Sequence, residues 1–221
     1  MGRTRPRGLE PCSVGPGRLN ALIDGVFAIA LTLLVLDLPR PAGSSGLAHD
    51  LLREWPAYVA YLVSFVTVGI LWIEHHGMMS AVRQISRRFL ERTLLFLLFV
   101  SIIPWPTAIA SAYARHGSQA SAAAMLYGTV MMLMGLSFSF SWRYLAGHPE
   151  LVAEPAQGAF PAGTRRALLG GLAYLPAIVI GLFLPIVSFG IDAVIAAYFA
   201  VSKSEVPGLI HRAAEETTGA A

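Results

Sequence analysis

Asp24 demands the most explanation in this chain. It lies inside the apolar run Arg18–Leu38, RLNALIDGVFAIALTLLVLDL, a turn or so beyond its start. A carboxylate at that depth in a spanning segment is costly and marks pairing, proton transfer or an ion path. A second group of chemistry-bearing residues, Trp72, Glu74, His75 and His76, closes another apolar run, YLVSFVTVGILWIEHHGMM. Trp72 precedes His75 by three residues and His76 by four, spacings at which helical side chains are neighbours. A carboxylate at the start of one helix and a His at the end of the next can pair at one membrane face. With the ordinary His pKa of about 6.5, such a pair can also relay protons. The alternatives are an interfacial aromatic anchor for Trp72 and a solvated helix end for the two His residues.

Other chemistries find little support. Adjacent His residues point different ways on a helix, and no H-x-x-x-H or H-E-x-x-H spacing occurs, so no metal site is expected. There is no G-x-S-x-G elbow and no clustered Ser/His/Asp set, so no enzyme is expected. No GxxxxGK[ST] loop is present, which argues against ATP-driven transport. No cofactor is implied. Cys12 is the single cysteine, which excludes an intrachain disulfide. Asp192, in the last apolar run, stands near the outer side without an evident partner. Met131, Met132 and Met134 read as packing residues.

The elements that position these groups are apolar helices. The chain is 55% hydrophobic and only 13% charged over 221 residues, well below the roughly 25% charged residues of average soluble domains. Hydropathy predicts six spans, an all-α polytopic membrane domain over 18–202. They run at Leu19–Leu38, Trp55–His76, Thr93–Tyr113 (interrupted by Pro104 and Pro106), Ala120–Leu145, Arg166–Leu184 and Ile186–Val201. The segment 1–17 reads as a disordered basic cytoplasmic tail. A cleaved signal peptide is the rival reading, opposed by Asp24 and the many later spans. Residues 203–221 form a C-terminal cytoplasmic tail.

Of the 16 Lys and Arg residues, one side carries Arg3, Arg5, Arg7, Arg18, Arg83, Arg87, Arg88, Arg92, Arg143, Arg165, Arg166, Lys203 and Arg212. The other carries Arg40, Arg53 and Arg115. The positive-inside rule therefore puts both termini in the cytoplasm of a multi-pass cell-membrane protein. The basic loops are too short and dispersed for a nucleic-acid site. On the first helix, Ile29, Thr32, Leu33 and Leu36 recur at spacings of three and four and share one face. Periodicity alone makes that face ordinary helix core.

These residues resemble a known family. Arg18-x-x-Ala21-Leu22-Ile23-Asp24-Gly25-Val26-Phe27-Ala28-Ile29-Ala30 is similar to the first-helix motif of the bacterial transmembrane protein 175 potassium channels, which reads Arg, a few residues, then Phe-Ser-Asp-Gly-Val-Phe-Ala-Ile-Ala. Gly69, Trp72, His75 and His76 resemble its second-helix ending. Pro104-Trp105-Pro106-Thr107, Trp142-Arg143-Tyr144 and Arg165-Arg166 follow its later order, so the likeness runs over roughly residues 18 to 201. The resemblance implies a homotetramer in the lipid bilayer, with the first helix of each subunit around a central pore for K+. It makes Ile29, Leu33 and Leu36 apolar pore rings and gate, with Thr32 as a hydroxyl layer. It also implies a polar network of Arg18, Asp24, Trp72, His75 and His76. The family's Phe-Ser is Leu22-Ile23 here, so a reduced network carried by Asp24, Arg18 and a His is expected. A secondary transporter coupled to protons, relaying through Asp24 and His75, is the alternative function.

Overall fold

A computed structural model describes residues 15–40, 46–114 and 117–202. Most of both expected tails, with Cys12, Arg3, Arg5, Arg7, Lys203 and Arg212, lies outside the described residues, as does Arg115. Helix α1 (Pro16–Leu36) begins slightly before the expected start of the membrane domain. Pro16 suits a first helical turn, where its missing N–H would have no partner anyway. Asp37 closes the helix, and Pro39 beyond it disfavours a further turn.

The remaining elements are α2 (Leu47–Arg53), α3 (Trp55–Ser80), α4 (Arg87–Ile102), α5 (Pro104–Tyr113) and α6 (Ser118–Ala146), followed by α7 (Phe160–Leu172), α8 (Tyr174–Gly181) and α9 (Pro185–Val201). Four stretches are long and apolar enough to cross a bilayer: Pro16–Leu36, Trp55–Ser80, Arg87–Tyr113 and Ser118–Ala146. They correspond to the first four expected spans. The expected fifth span is divided at Ala173 into α7 and α8, and α9 is a shorter apolar helix of 17 residues. The breaks have a common cause. Proline lacks the N–H needed for the helical bond and clashes with the carbonyl four residues back. Pro104 and Pro106 do this at the α4–α5 junction, and Pro176 does it against Leu172.

The helices alternate in direction. One end of the bundle, the proximal end, gathers the starts of α1, α4 and α7 and the ends of α3, α6 and α9. Polar contacts tie this end together. The Arg166 guanidinium meets the Glu74 carboxylate at 3.2 Å and donates to the Ser202 hydroxyl and carbonyl, both at 2.6 Å. Ser86 caps α4 by accepting from the Phe89 amide at 3.2 Å, and its hydroxyl also bonds the Tyr144 hydroxyl at 2.9 Å. The connection after α3 is held to the connection after α6 by Arg83 N–H to the Leu151 carbonyl (2.8 Å) and Ala153 N–H to the Ala81 carbonyl (2.9 Å).

The core is an aromatic column crossing five helices. Phe27 of α1 lies 6.0 Å from Phe96 of α4, and Phe96 lies 4.9 Å from Phe138 of α6. His75 of α3 stacks on Phe96 at 5.3 Å with ring planes 2° apart. Trp142 of α6 continues the column to Phe160 at the start of α7, 5.2 Å away. Ring pairs at these distances add about 0.5–1.5 kcal/mol each beyond the area they bury.

Helices α6 and α7 cross at backbone contact. A Cβ on Gly135 would stand 2.6 Å from the Gly171 Cα, and one on Gly171 would stand 2.8 Å from the Leu136 nitrogen. Small residues let membrane helices approach this closely, and dispersion rather than hydrophobic burial then holds them. Gly135→Val should therefore force the helices apart and cost about 1–3 kcal/mol, read as a lower thermal unfolding midpoint in detergent. Gly158→Ala, where nothing lies within 4 Å of the added carbon, should stay within about 0.5 kcal/mol of the parent.

Candidate pore-lining face and proximal polar site

Helix α1 has two apolar faces with different fates. Leu19, Ile23, Phe27, Ala30 and Leu34 are all buried, at spacings of four and three, against the rest of the subunit. Ile29 is 60% exposed, Leu33 40% and Leu36 73%. Thr32 is exposed beside them. The four residues singled out by periodicity thus share the face that the subunit leaves uncovered. The sequence could not separate this stripe from the buried one, because both are apolar and both repeat at helical spacing.

Thr32 donates its hydroxyl proton back to its own helix, to the Ala28 and Ile29 carbonyls at 3.0 Å each. Its oxygen lone pairs are left on the exposed face. A column of Ile29, Thr32, Leu33 and Leu36 offers one oxygen layer between hydrocarbon layers. Chemically, such a face can coordinate a cation once and desolvate it elsewhere.

Asp24 lies nearer the proximal end of α1, five residues before Ile29 and about 140° around the helix from it. Its Oδ1 accepts a hydrogen bond of 2.9 Å from the Trp72 indole N–H of α3. Trp72 in turn stacks on His76 at 5.5 Å, with planes 29° apart. These three residues form the polar unit that the geometry assembles. Arg18 forms no ion pair with Asp24 among the described residues.

His75 is built differently from the expected network. Successive helix residues are turned by about 100°, so His75 faces away from His76 into the aromatic column. It is 1% exposed, and neither ring nitrogen has a hydrogen-bond partner among the described residues. The Asp24–His75 hydrogen bond that a proton relay requires is not formed. This removes the geometric basis of the transporter alternative, and His75 serves as a stacked ring in the core.

Two further polar features went unread in the sequence. The Glu74–Arg166 pair joins residues 92 positions apart, beyond the reach of any local spacing rule. Ser64, Thr107 and Tyr127 form a buried hydroxyl chain at 2.8 and 3.0 Å. Their residue types are common in helices, and nothing local marks them as partners.

Comparisons with known proteins bear on the family of the chain. The family model of the endosomal/lysosomal potassium channel TMEM175 matches residues 18–104, which include α1 from Arg18 onward and the Trp72–His76 segment. A potassium channel of Streptomyces collinus is 36% identical over 194 residues, spanning 86% of this chain and 94% of that protein. Human TMEM175, described as an endosomal/lysosomal proton channel, is 31% identical over 149 residues, which cover 63% of this chain and 30% of that protein. The crystal structure of a lysosomal potassium-selective channel TMEM175 homologue from Chamaesiphon minutus superposes with a TM-score of 0.76 at 33% identity, over 84% of this chain and 96% of that one.

Two substitutions test the assigned roles. Trp72→Phe keeps a ring against His76 but removes the donor to Asp24, and should lower stability by about 1 kcal/mol. His75→Phe keeps the stack and removes two unpartnered ring nitrogens. Its thermal midpoint should equal or exceed the parent's, whereas His75→Ala should lose roughly 3 kcal/mol through the cavity it opens. A large loss in His75→Phe would show that the imidazole nitrogens matter.

Proposed function

The chain belongs to the TMEM175 family, and we propose that it is a potassium channel that conducts K+ passively through a central pore in the cell membrane. In this reading a subunit has six spans over 18–202, both termini are cytoplasmic, and four subunits assemble with α1 innermost. The tails 1–17 and 203–221 stay on the cytoplasmic side. Ile29, Leu33 and Leu36 form stacked apolar rings, Thr32 supplies a hydroxyl layer, and Asp24, Trp72 and His76 brace the proximal end, with Arg18 beside them.

One observation carries the reading. Helix α1 is fully packed along one face, while a second face, equally apolar, is left largely exposed by the described residues of its own subunit. In an assembly around α1, four such faces converge on an axis. An ion crossing an apolar ring sheds part of its hydration, and a narrow apolar ring can also close by dewetting. Potassium holds its water less tightly than sodium, so the same ring costs it less. Filtering and gating then reside in the same side chains, with no carbonyl-lined filter needed.

Ion flux from liposomes holding the purified chain tests this directly. A potassium gradient should discharge without any coupling ion, and faster than a sodium gradient of equal size. Ile29→Asn should wet its ring and raise the flux several-fold. Unchanged flux in that variant would remove Ile29 from the gate. Asp24→Ala leaves Trp72 without its acceptor and should lower the yield of tetramer on size exclusion. A normal tetramer peak would refute a role for Asp24 in assembly.

A further inference from the structure

Asp192 of α9 is 1% exposed, and both its carboxylate oxygens are buried without a hydrogen-bond partner among the described residues. The reason lies in its neighbours. Two phenols adjoin it, Tyr127 of α6 and Tyr174 of α8, and each sends its proton elsewhere. Thr107 donates to the Ile103 carbonyl at 2.9 Å, so its oxygen accepts from Ser64 at 2.8 Å. Ser64 then accepts from the Tyr127 hydroxyl at 3.0 Å. Likewise Thr67, the polar neighbour of Tyr174, donates to the Val63 carbonyl at 2.8 Å, which leaves its oxygen open to the Tyr174 hydroxyl. Neither phenol donates to Asp192, and no other donor among the described residues reaches its carboxylate.

Asp192 lines a cavity of about 330 Å³ between α3, α5, α6 and α9. The cavity starts at the end of the bundle opposite Asp24, where Trp55 opens α3 and Ile186 lies at the start of α9. Asp192 is seven residues into α9 from Pro185, about 10 Å at 1.5 Å per residue. The walls between are apolar, including Val59 and Val63 of α3 and Phe189 of α9. Among the described residues, no Lys, Arg or His lines it. A mostly apolar cavity of this size with one convergent polar group is the usual form of a small-molecule site. Its single buried carboxylate calls for a positive charge.

We propose that this intrasubunit cavity binds a hydrophobic monovalent ammonium compound, its apolar body between α3 and α9 and its ammonium paired with Asp192. The site is separate from the α1 face and independent of whether that face conducts. The ammonium supplies the N–H donors that Tyr127 and Tyr174 withhold, and the cavity walls shield the pair from water.

The test is thermal unfolding of the purified full chain in detergent, titrated with 2-phenylethylammonium and with its neutral counterpart 2-phenylethanol. The amine should raise the unfolding midpoint saturably, and the alcohol should not at matched concentrations. Asp192→Asn should weaken the apparent affinity for the amine at least tenfold. If that variant does not fold, Ala60→Phe, which puts a ring into the cavity, should abolish the amine-dependent shift. No shift with the amine, equal shifts with amine and alcohol, or a shift retained in Asp192→Asn or Ala60→Phe would overturn the proposal. Because the readout is binding, failure here leaves the channel reading untouched, and failure of ion flux leaves this one untouched.

Discussion

The seating of Phe27 in the aromatic column is the contact on which the rest of the arrangement depends. Its ring is buried against Phe96 and His75, within a column that also draws on α6 and α7. A helix is rigid in rotation, so fixing one side chain fixes all the others. With Phe27 inward, Leu19, Ile23, Ala30 and Leu34 follow it into the core. Ile29, Leu33 and Leu36 are thereby turned outward, and Asp24 comes within reach of Trp72. The outward face is a consequence of inward packing rather than a separate feature of the helix.

This explains why a histidine occupies so dry a position. His75 lies parallel to Phe96 and close to Phe138, where a flat ring of that size fills the column between α1, α4 and α6. Van der Waals contact offsets the cost of two unpartnered nitrogens. One position further along the same helix, His76 lies outside, against Trp72. Identical residue types with adjacent numbers thus serve packing and polar bracing respectively, separated only by the helical turn.

Away from the column, the bundle is kept together by close approach and by satisfied hydroxyls. Gly135 and Gly171 remove side chains where α6 and α7 meet, and Pro104, Pro106 and Pro176 break the long segments so that the pieces can tilt to fit. Ser64, Thr107 and Tyr127 pass their protons along a chain that ends on a backbone carbonyl. In a low-dielectric interior each such bond matters because the alternative is an unmet polar group. Asp192 departs from this economy, and it does so beside a cavity.

Much of this was legible in the residues alone. The apolar runs, their proline breaks and the all-helical class follow from composition and hydropathy, because hydrocarbon tolerates only internally bonded backbone. The shared face of Ile29, Thr32, Leu33 and Leu36 also follows from helical periodicity, and the common membrane face of Asp24 and Trp72 from their places in their spans. Sequence could not decide which apolar face of α1 turns inward, since Leu19, Ile23 and Leu34 are as hydrophobic as Ile29, Leu33 and Leu36. Nor could it part His75 from His76 in role, pair Glu74 with Arg166, or bring Tyr127 and Tyr174 beside Asp192. Those outcomes rest on contacts between residues far apart in the chain. Local spacing sets what each helix can present, and only the packing of one helix against another selects which side it presents and to whom.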